Sequence, residues 1–409
     1  MTIPGAHATG DAPPSTRAGS LAPGAALRFV VFLGVVSLLA DMTYQGGRSI
    51  TGPFLAQLGA SATVVGVFAG LGELLGYGLR IVSGYFSDRG GSYWRVAIVG
   101  YLINLLAIPA LALAGSWEVA VALMMLERTG KAIRKPARDA MLAHATSEMG
   151  RGWGFGLHKA MDQTGALLGP LVMAAVLFST NGSYRLGFAL LLIPALLSFA
   201  VLLAARREYP RPSDLEVKKI ELETGGTSRS YWIYLGASAL VAAGYADFPL
   251  IAYHFAKSDA MPAAWIPLIY SLAMGVSAVA APAAGWLFDR VGVAVIAASV
   301  LLAAFFAPLV FIGGTALAIA GMALWGVGMG VQESIVRAAV AELVPSGRRA
   351  GAYGVFDTGF GVFWFLGSAL MGILYDRSIP ALVAFSMAAQ LAALPLLLAV
   401  SSKARRARG

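Results

Sequence analysis

Ionisable side chains stand inside stretches of this sequence that are otherwise apolar. Asp41, Gln45 and Arg48 recur at spacings of four and seven, which puts them on one face of a helix. Glu73 and Arg80 fall in the next apolar stretch, and Glu127 with Arg128 interrupt a later one. His158 precedes Asp162 by four, so a helix presents them together, and such a pair can exchange protons near neutral pH. Asp247 and Glu333 are the matching carboxylates late in the chain. A charge at the bilayer centre costs about 2.5–3.5 kcal/mol on the insertion scale, so these groups must face water or one another. A carboxylate at mid-membrane can change its protonation state. Asp41, Glu73, Glu127, Arg128, His158, Asp162, Asp247 and Glu333 are therefore expected to handle protons or to line a cavity. Permanent ion pairs that hold helices together, for instance Asp41 with Arg80 or Arg128, are the structural alternative.

Around them, Tyr44, Gln45, Arg48, Tyr77, Arg80, Tyr245 and Trp364 could form an aromatic-sided pocket for an organic molecule. Met42, Met124, Met125 and Met161 fall near the same positions, and soft ligands of this kind raise the question of a copper carrier. Methionine ordinarily fills cores and no Met/His cluster accompanies these, so no metal site is expected. The chain has no cysteine, which excludes thiolate ligands and thiol catalysis. Its four histidines form no metal-binding pattern, no nucleophile motif stands on an elbow, and no enzyme is expected. A receptor that binds without transporting is a further alternative. His254 is expected as an interfacial histidine rather than a ligand.

The elements that must position these residues are membrane helices. Of the 409 residues, 58% are hydrophobic and 12% charged, where a soluble domain has roughly 25% charged. A helix crosses the hydrocarbon with about 20 apolar residues, and the long runs do not alternate as membrane strands would. Twelve spans are expected, at 27–57, 61–87, 94–114, 117–138, 152–178, 185–205, 230–256, 262–288, 292–314, 316–340, 351–375 and 379–401. Residues 1–24 read as a disordered cytoplasmic tail, 25–205 as a first six-helix bundle and 206–229 as a linker. Residues 230–401 read as a second bundle and 402–409 as a basic tail. Basic residues collect in alternate loops, so both termini are expected in the cytoplasm of a multi-pass protein of the cell (inner) membrane. The net charge of +9 has the same origin and does not call for nucleic acid. The third, sixth, ninth and twelfth spans carry no mid-span charge and should lie outside an inner ring of spans 1, 2, 4, 5, 7 and 10. The fold class is all-α integral membrane.

The two halves repeat one another. GYFSDRGG at Gly84–Gly91 returns as GWLFDRVG at Gly285–Gly292, and RGWGFGLHKAMDQTGALLGP from Arg151 parallels RAGAYGVFDTGFGVFWFLGS from Arg349. Gly156 aligns with Gly354 and Gly169 with Gly367. Such repeats are frequent in secondary transporters. Close-spaced glycines at Gly66–Gly78 and Gly326–Gln332 permit tight helix contact, and neither has the strand–turn–helix setting of a phosphate loop.

GYFSDRGGSYWR resembles the loop signature between helices 2 and 3 of the major facilitator superfamily. It keeps Gly84, Asp88, Arg89, Gly91 and Arg95; the second copy keeps Gly285, Asp289, Arg290 and Gly292. The resemblance covers nearly the whole chain and implies two pseudo-symmetric six-helix bundles around a central site. It also implies a latch on the cytoplasmic side, with Asp88 capping a neighbouring helix and Arg134, Arg138 and Asp139 as partners, turned sideways where Pro136 breaks helix 4. Arg128 stands where the family often has an arginine associated with proton coupling, but Lys131 replaces the usual glutamine. GALLGP at Gly165–Pro170 resembles the Gly-Pro element of antiporters, without the glycines that usually follow it.

The resemblance implies a secondary active transporter of a small organic solute working by alternating access, with proton-coupled export as the leading form. A facilitator or importer of an anionic metabolite held by Arg48, Arg80 and Arg128 is the alternative. Lipid, solute and protons are the expected partners of a monomer that needs no cofactor beyond a proton gradient.

Overall fold

A computed structural model describes residues 23–90, 93–145, 151–210, 228–344 and 349–408. Among them the chain forms fifteen α-helices. These are α1 (Pro23–Gln57), α2 (Ala62–Gly90), α3 (Tyr93–Ala110), α4 (Trp117–Ala145), α5 (Arg151–Ser179), α6 (Tyr184–Leu190), α7 (Leu192–Glu208) and α8 (Arg229–Gly244). They continue with α9 (Phe248–Lys257), α10 (Trp265–Val291), α11 (Ala294–Ala303), α12 (Phe306–Phe311), α13 (Thr315–Leu343), α14 (Arg349–Arg377) and α15 (Ile379–Arg408). Eleven helical stretches of the described residues are long and apolar enough to cross a membrane. The stretch outside this set is α4, which has the length but carries eight charged residues from Glu118 to Asp139. Hydrocarbon offers no partner for backbone N–H and C=O groups, which is why apolar runs of this length fold as helices.

Several sequence expectations change here. α4 runs unbroken through Pro136, because neighbouring helices in a packed bundle can support the one bond a proline removes. α2 stays helical to Gly90, so the first signature copy ends a helix instead of forming a turn. In the second copy α10 stops at Val291, and Gly292 caps it at φ 65°, where glycine alone is unstrained. The basic residues expected as a tail lie on the last turns of α15. Residues 1–22 and 211–227, most of the expected tail and linker, lie outside the described residues.

Three expected spans are interrupted: at Leu191 between α6 and α7, at Ala304–Phe305 between α11 and α12, and at Tyr245–Asp247 between α8 and α9. The last is the most consequential. Gly244 ends α8, Tyr245 is extended, and Asp247 becomes the N-cap residue of α9, whose first turn contains Pro249. Proline fits a first turn because its missing N–H has no helical partner there. The carbonyls freed by the break are satisfied from neighbours. Ser386 Oγ and Gln390 Nε2 donate to Gly244 O at 2.6 and 3.3 Å, and Trp325 Nε1 donates to Ala246 O at 2.9 Å.

Short loops gather on one face. The Tyr253 hydroxyl donates to Ala60 O at 3.0 Å and Thr315 Oγ1 to Ala260 O at 2.9 Å. On this face Asp376, at the end of α14, accepts from Ala62 N (3.1 Å), Thr63 N (2.8 Å) and Thr63 Oγ1 (2.7 Å). A helix N-terminus leaves such donors orphaned, so α14 caps α2 across a separation of more than 300 residues. Asp376→Ala should cost about 0.5–2 kcal/mol, the usual worth of an N-cap, read as a lower unfolding temperature in detergent; an unchanged temperature would show that water replaces the cap.

Helices α1, α2 and α5 meet α9, α14 and α10 tightly on the short-loop side. A Cβ added at Gly52 would lie 2.1 Å from Pro249 O, and one at Gly66 2.3 Å from Ser368 O. Further along the same helices, towards the basic loops, Gly76 and Gly78 of α2, Gly156 of α5 and Gly354 of α14 have open space around them. The helices are jammed at one end and splayed at the other. Val99, Leu102 and Leu106 of α3, with Ile193, Leu196 and Leu197 of α7, give an exposed apolar flank suited to lipid.

Candidate functional site

The splay leaves a cavity of about 270 Å³ lined by α1, α2, α4, α5, α13 and α14. Its walls hold Tyr44, Gln45, Tyr77, Gln163, Gln332, Phe360 and Trp364 between charged groups. Seven of those are basic (Arg48, Arg128, Lys131, Arg134, Lys135, Arg138, Lys159) and four acidic (Asp41, Glu73, Asp162, Glu333).

At its closed end Arg48 Nη2 meets Asp247 Oδ1 at 2.5 Å, and Nη1 donates to the Tyr44 hydroxyl at 3.2 Å. Trp364 Nε1 donates to Asp247 Oδ2 at 2.8 Å. This clasp ties α1 and α14 to the break between α8 and α9. Tyr270 of α10 donates to Gln45 Oε1 at 2.7 Å alongside it.

On the α2–α4 side, Arg128 Nη1 pairs with Glu73 at 3.0 Å and its Nε lies 3.7 Å from Glu127. Glu127 is buried behind it and accepts from Asn104 Nδ2 at 2.6 Å. Glycine at position 72 leaves room for this arginine, since a Cβ there would come within 3.1 Å of its side chain. Lys131 Nζ sits 3.3 Å from the centroid of the Tyr44 ring. Arg134 lies over the Tyr101 ring at 4.3 Å, with Nη2 4.0 Å from Asp41.

Towards the open end, Arg138 pairs with Asp139 at 2.9 Å and donates to Ser37 Oγ at 3.1 Å. Ser37 Oγ is also 2.9 Å from His158 Nε2. Lys159 bridges Asp162 and Glu333, each at 3.6 Å, and so joins α5 to α13. Asp41 and Asp162 stand close enough for their carboxyls to interact.

A profile of the Major Facilitator Superfamily matches residues 32–368 and 248–408. An uncharacterized protein of Mycobacterium tuberculosis is 41% identical over 392 residues, covering 94% of this chain and 96% of that protein. The chain belongs to the major facilitator superfamily. The multidrug resistance protein MdtH of Edwardsiella ictaluri is 32% identical over 119 residues, 29% of each chain. Among solved structures, the nucleoside transporter NupG aligns with TM-score 0.73 at 14% identity, covering 90% of this chain and 99% of that one. A peptide transporter, POT, aligns with TM-score 0.71 at 16% identity, covering 92% and 94%. Membership of this family makes the chain a membrane transporter rather than an enzyme.

Within this superfamily fold, most of the residues read from sequence converge. Asp41, Tyr44, Gln45, Arg48, Glu73, Tyr77, Arg128, Asp162, Glu333 and Trp364 line one cavity. Others do not. Tyr245 is buried among Phe306, Trp325 and Trp364, and its hydroxyl donates to Trp325 O. Glu127 and Asp247 stand behind Arg128 and Arg48 instead of on the cavity surface. His158 bonds to Ser37 and not to Asp162. His254 lies 3.0 Å from the Tyr375 hydroxyl.

Arg134 and Arg138, expected at a latch, are cavity-wall residues, and Asp139 is held by Arg138. Arg95 and Asp289 are exposed, and Arg290 stacks on Trp286 with Cζ 3.3 Å from the ring centroid. The side chains of Arg80, Asp88 and Arg89, and the setting of Gly84, lie outside the described residues. Lys131, Lys135, Lys159, Gln163 and Gln332 were not anticipated as wall residues. Lys131 had a signal, since it stands where the family pattern expects glutamine.

Proposed function

We propose that this protein is a secondary active transporter that carries a small polar organic solute across the cell membrane by alternating access. In this reading α4 is the twelfth span, and two six-helix bundles with cytoplasmic termini rock about the central cavity. The observation that carries it is the charged cavity, sealed by glycine-lined helix contacts at the short-loop end and splayed at the basic-loop end. The positive-inside rule favours a cytoplasmic basic-loop end, which supports reading this state as inward-open. Sites for drug-sized ligands occupy about 300–1,000 Å³, and a cavity of about 270 Å³, just below that range, favours a small metabolite.

Proton coupling would use Asp41 and Asp162. Carboxyls this close can hold one proton between them, and Lys131, Arg134, Arg138 and Lys159 surround the pair. Proton-linked export is the preferred direction, on the Gly-Pro element of α5 and the partial likeness to MdtH. Proteoliposomes test both parts. Asp41→Asn should keep solute counterflow while losing accumulation driven by a pH gradient by about tenfold or more, within the range expected for removing a proton-transfer group. Wild-type protein with no counterflow of any solute defeats the transport reading; Asp41→Asn with wild-type pH-gradient response defeats the coupling role.

A further inference from the structure

The excess of positive charge in the cavity is not evenly compensated. Arg48 is matched by Asp247, Arg128 by Glu73 and Glu127, Arg138 by Asp139, and Lys159 by Asp162 and Glu333. The arginines read from sequence as anion binders, Arg48 and Arg128, are therefore already occupied. Lys131 and Arg134 are different. They lie three residues apart on the same face of α4, and both line the cavity.

Lys131 has no carboxylate within ion-pair distance among the described residues, and its ammonium rests on the Tyr44 ring. Arg134 is only 2% exposed, yet its Nε and Nη1 have no hydrogen-bond partner, and the nearest carboxylate, Asp41, is 4.0 Å from Nη2. An aromatic face attracts a cation but accepts none of its N–H donors in the way an oxygen anion does. A buried guanidinium with unused donors, beside an unpaired ammonium on a cavity wall, is a half-built ion pair.

We propose that Lys131 and Arg134 seat a negatively charged group of the cargo, a carboxylate or a phosphate. This deepens the transport reading and rests on it: the cargo would be a small organic anion or zwitterion, with its anionic end at α4. Lys131 would contribute the mobile point charge and Arg134 the fixed, planar donor set.

The test is equilibrium binding to the purified full-length protein in detergent, using succinate, glycerol 3-phosphate and inorganic phosphate, with tetraphenylphosphonium as the cationic comparison. At least one anion should bind at millimolar concentration or below while the cation does not. Lys131→Gln should weaken that binding about ten- to a hundredfold, the loss expected for a charged hydrogen bond, and Lys131→Arg should restore most of it. Preference for succinate or for glycerol 3-phosphate assigns the carboxylate or the phosphate. Three results would overturn the proposal: no anion binds, Lys131→Gln binds anions like wild type, or the cation alone binds. Counterflow separates this from the transport reading. Anion binding without counterflow removes transport and leaves the seat. Counterflow of a cation that Lys131→Gln does not alter removes the seat and leaves transport.

Discussion

Asp247→Ala is expected to destabilise the protein by about 3–5 kcal/mol, the cost of leaving a buried cation without its partner. Arg48 is the cation. Its side chain is 10% exposed, that of Asp247 1%, and they meet at 2.5 Å. The variant also strands the Trp364 indole N–H, which now donates to Asp247 Oδ2. The start of α9 itself loses no hydrogen bond, because the Asp247 side chain makes none to the helix it precedes. Replacing both partners should be far milder, because a buried pair exchanged for apolar groups of similar size is often near neutral. Arg48→Met with Asp247→Ala should therefore recover much of the loss while transport stays low. Thermal unfolding followed by tryptophan fluorescence measures the first quantity and solute counterflow the second. A single variant as stable as wild type would mean that water shares this ion pair.

Gly66→Val should have the largest effect on the conformational equilibrium. The added Cβ would lie 2.3 Å from Ser368 O and 2.9 Å from Gly372 Cα, both backbone atoms that cannot rotate aside. Overpacking of this kind costs about 1–3 kcal/mol, which shifts a two-state equilibrium about 5- to 150-fold. The proposed alternating access requires the α2–α14 contact to part in the other state, so on that reading the penalty falls on the state seen here. Because the chain lacks cysteine, Gln163→Cys gives a single reporter on the cavity wall. With Gly66→Val, its labelling by an impermeant maleimide should fall from the basic-loop side and rise from the short-loop side. Gly78→Val, which has open space around it outside the cavity lining, is the control and should leave labelling unchanged. Equal labelling of both variants would mean that this seam does not set the resting state.

The sequence carried the fold further than the site, for physical reasons. Length and apolarity of the runs are local properties, and most spans could be read from them. The internal repeat also survives in three dimensions. Gly169 of α5 lets α1 approach, with a Cβ there 2.3 Å from Met42 O, and its counterpart Gly367 of α14 does the same for α8, 2.1 Å from Ala243 O. Pairing is not local. Which acid meets which base depends on the rotation of each helix, about 100° per residue, and on the approach of helices distant in sequence. Hence Arg48 could be read as a cavity residue but not as the partner of Asp247. The break at Tyr245–Asp247 was written in GYADFP as glycine, an aspartate at the N-cap position and proline, the usual stop and start signals. Within a run long enough to span a membrane, hydrophobicity masked it. Asp376 is harder still, because a helix-end carboxylate reads as a loop residue until the helix it caps is known.

That borrowed cap gives the two ends of the carrier different thermodynamics. The Ser61 side chain accepts from the Val64 amide and its carbonyl from Val65, so the Ala62 and Thr63 amides depend on α14 for their partners. If α14 withdraws in the proposed cycle, the first turn of α2 is left to fray. In the proposed cycle, opening the short-loop face would carry a local order–disorder transition that biases the unloaded protein towards rest with that face shut.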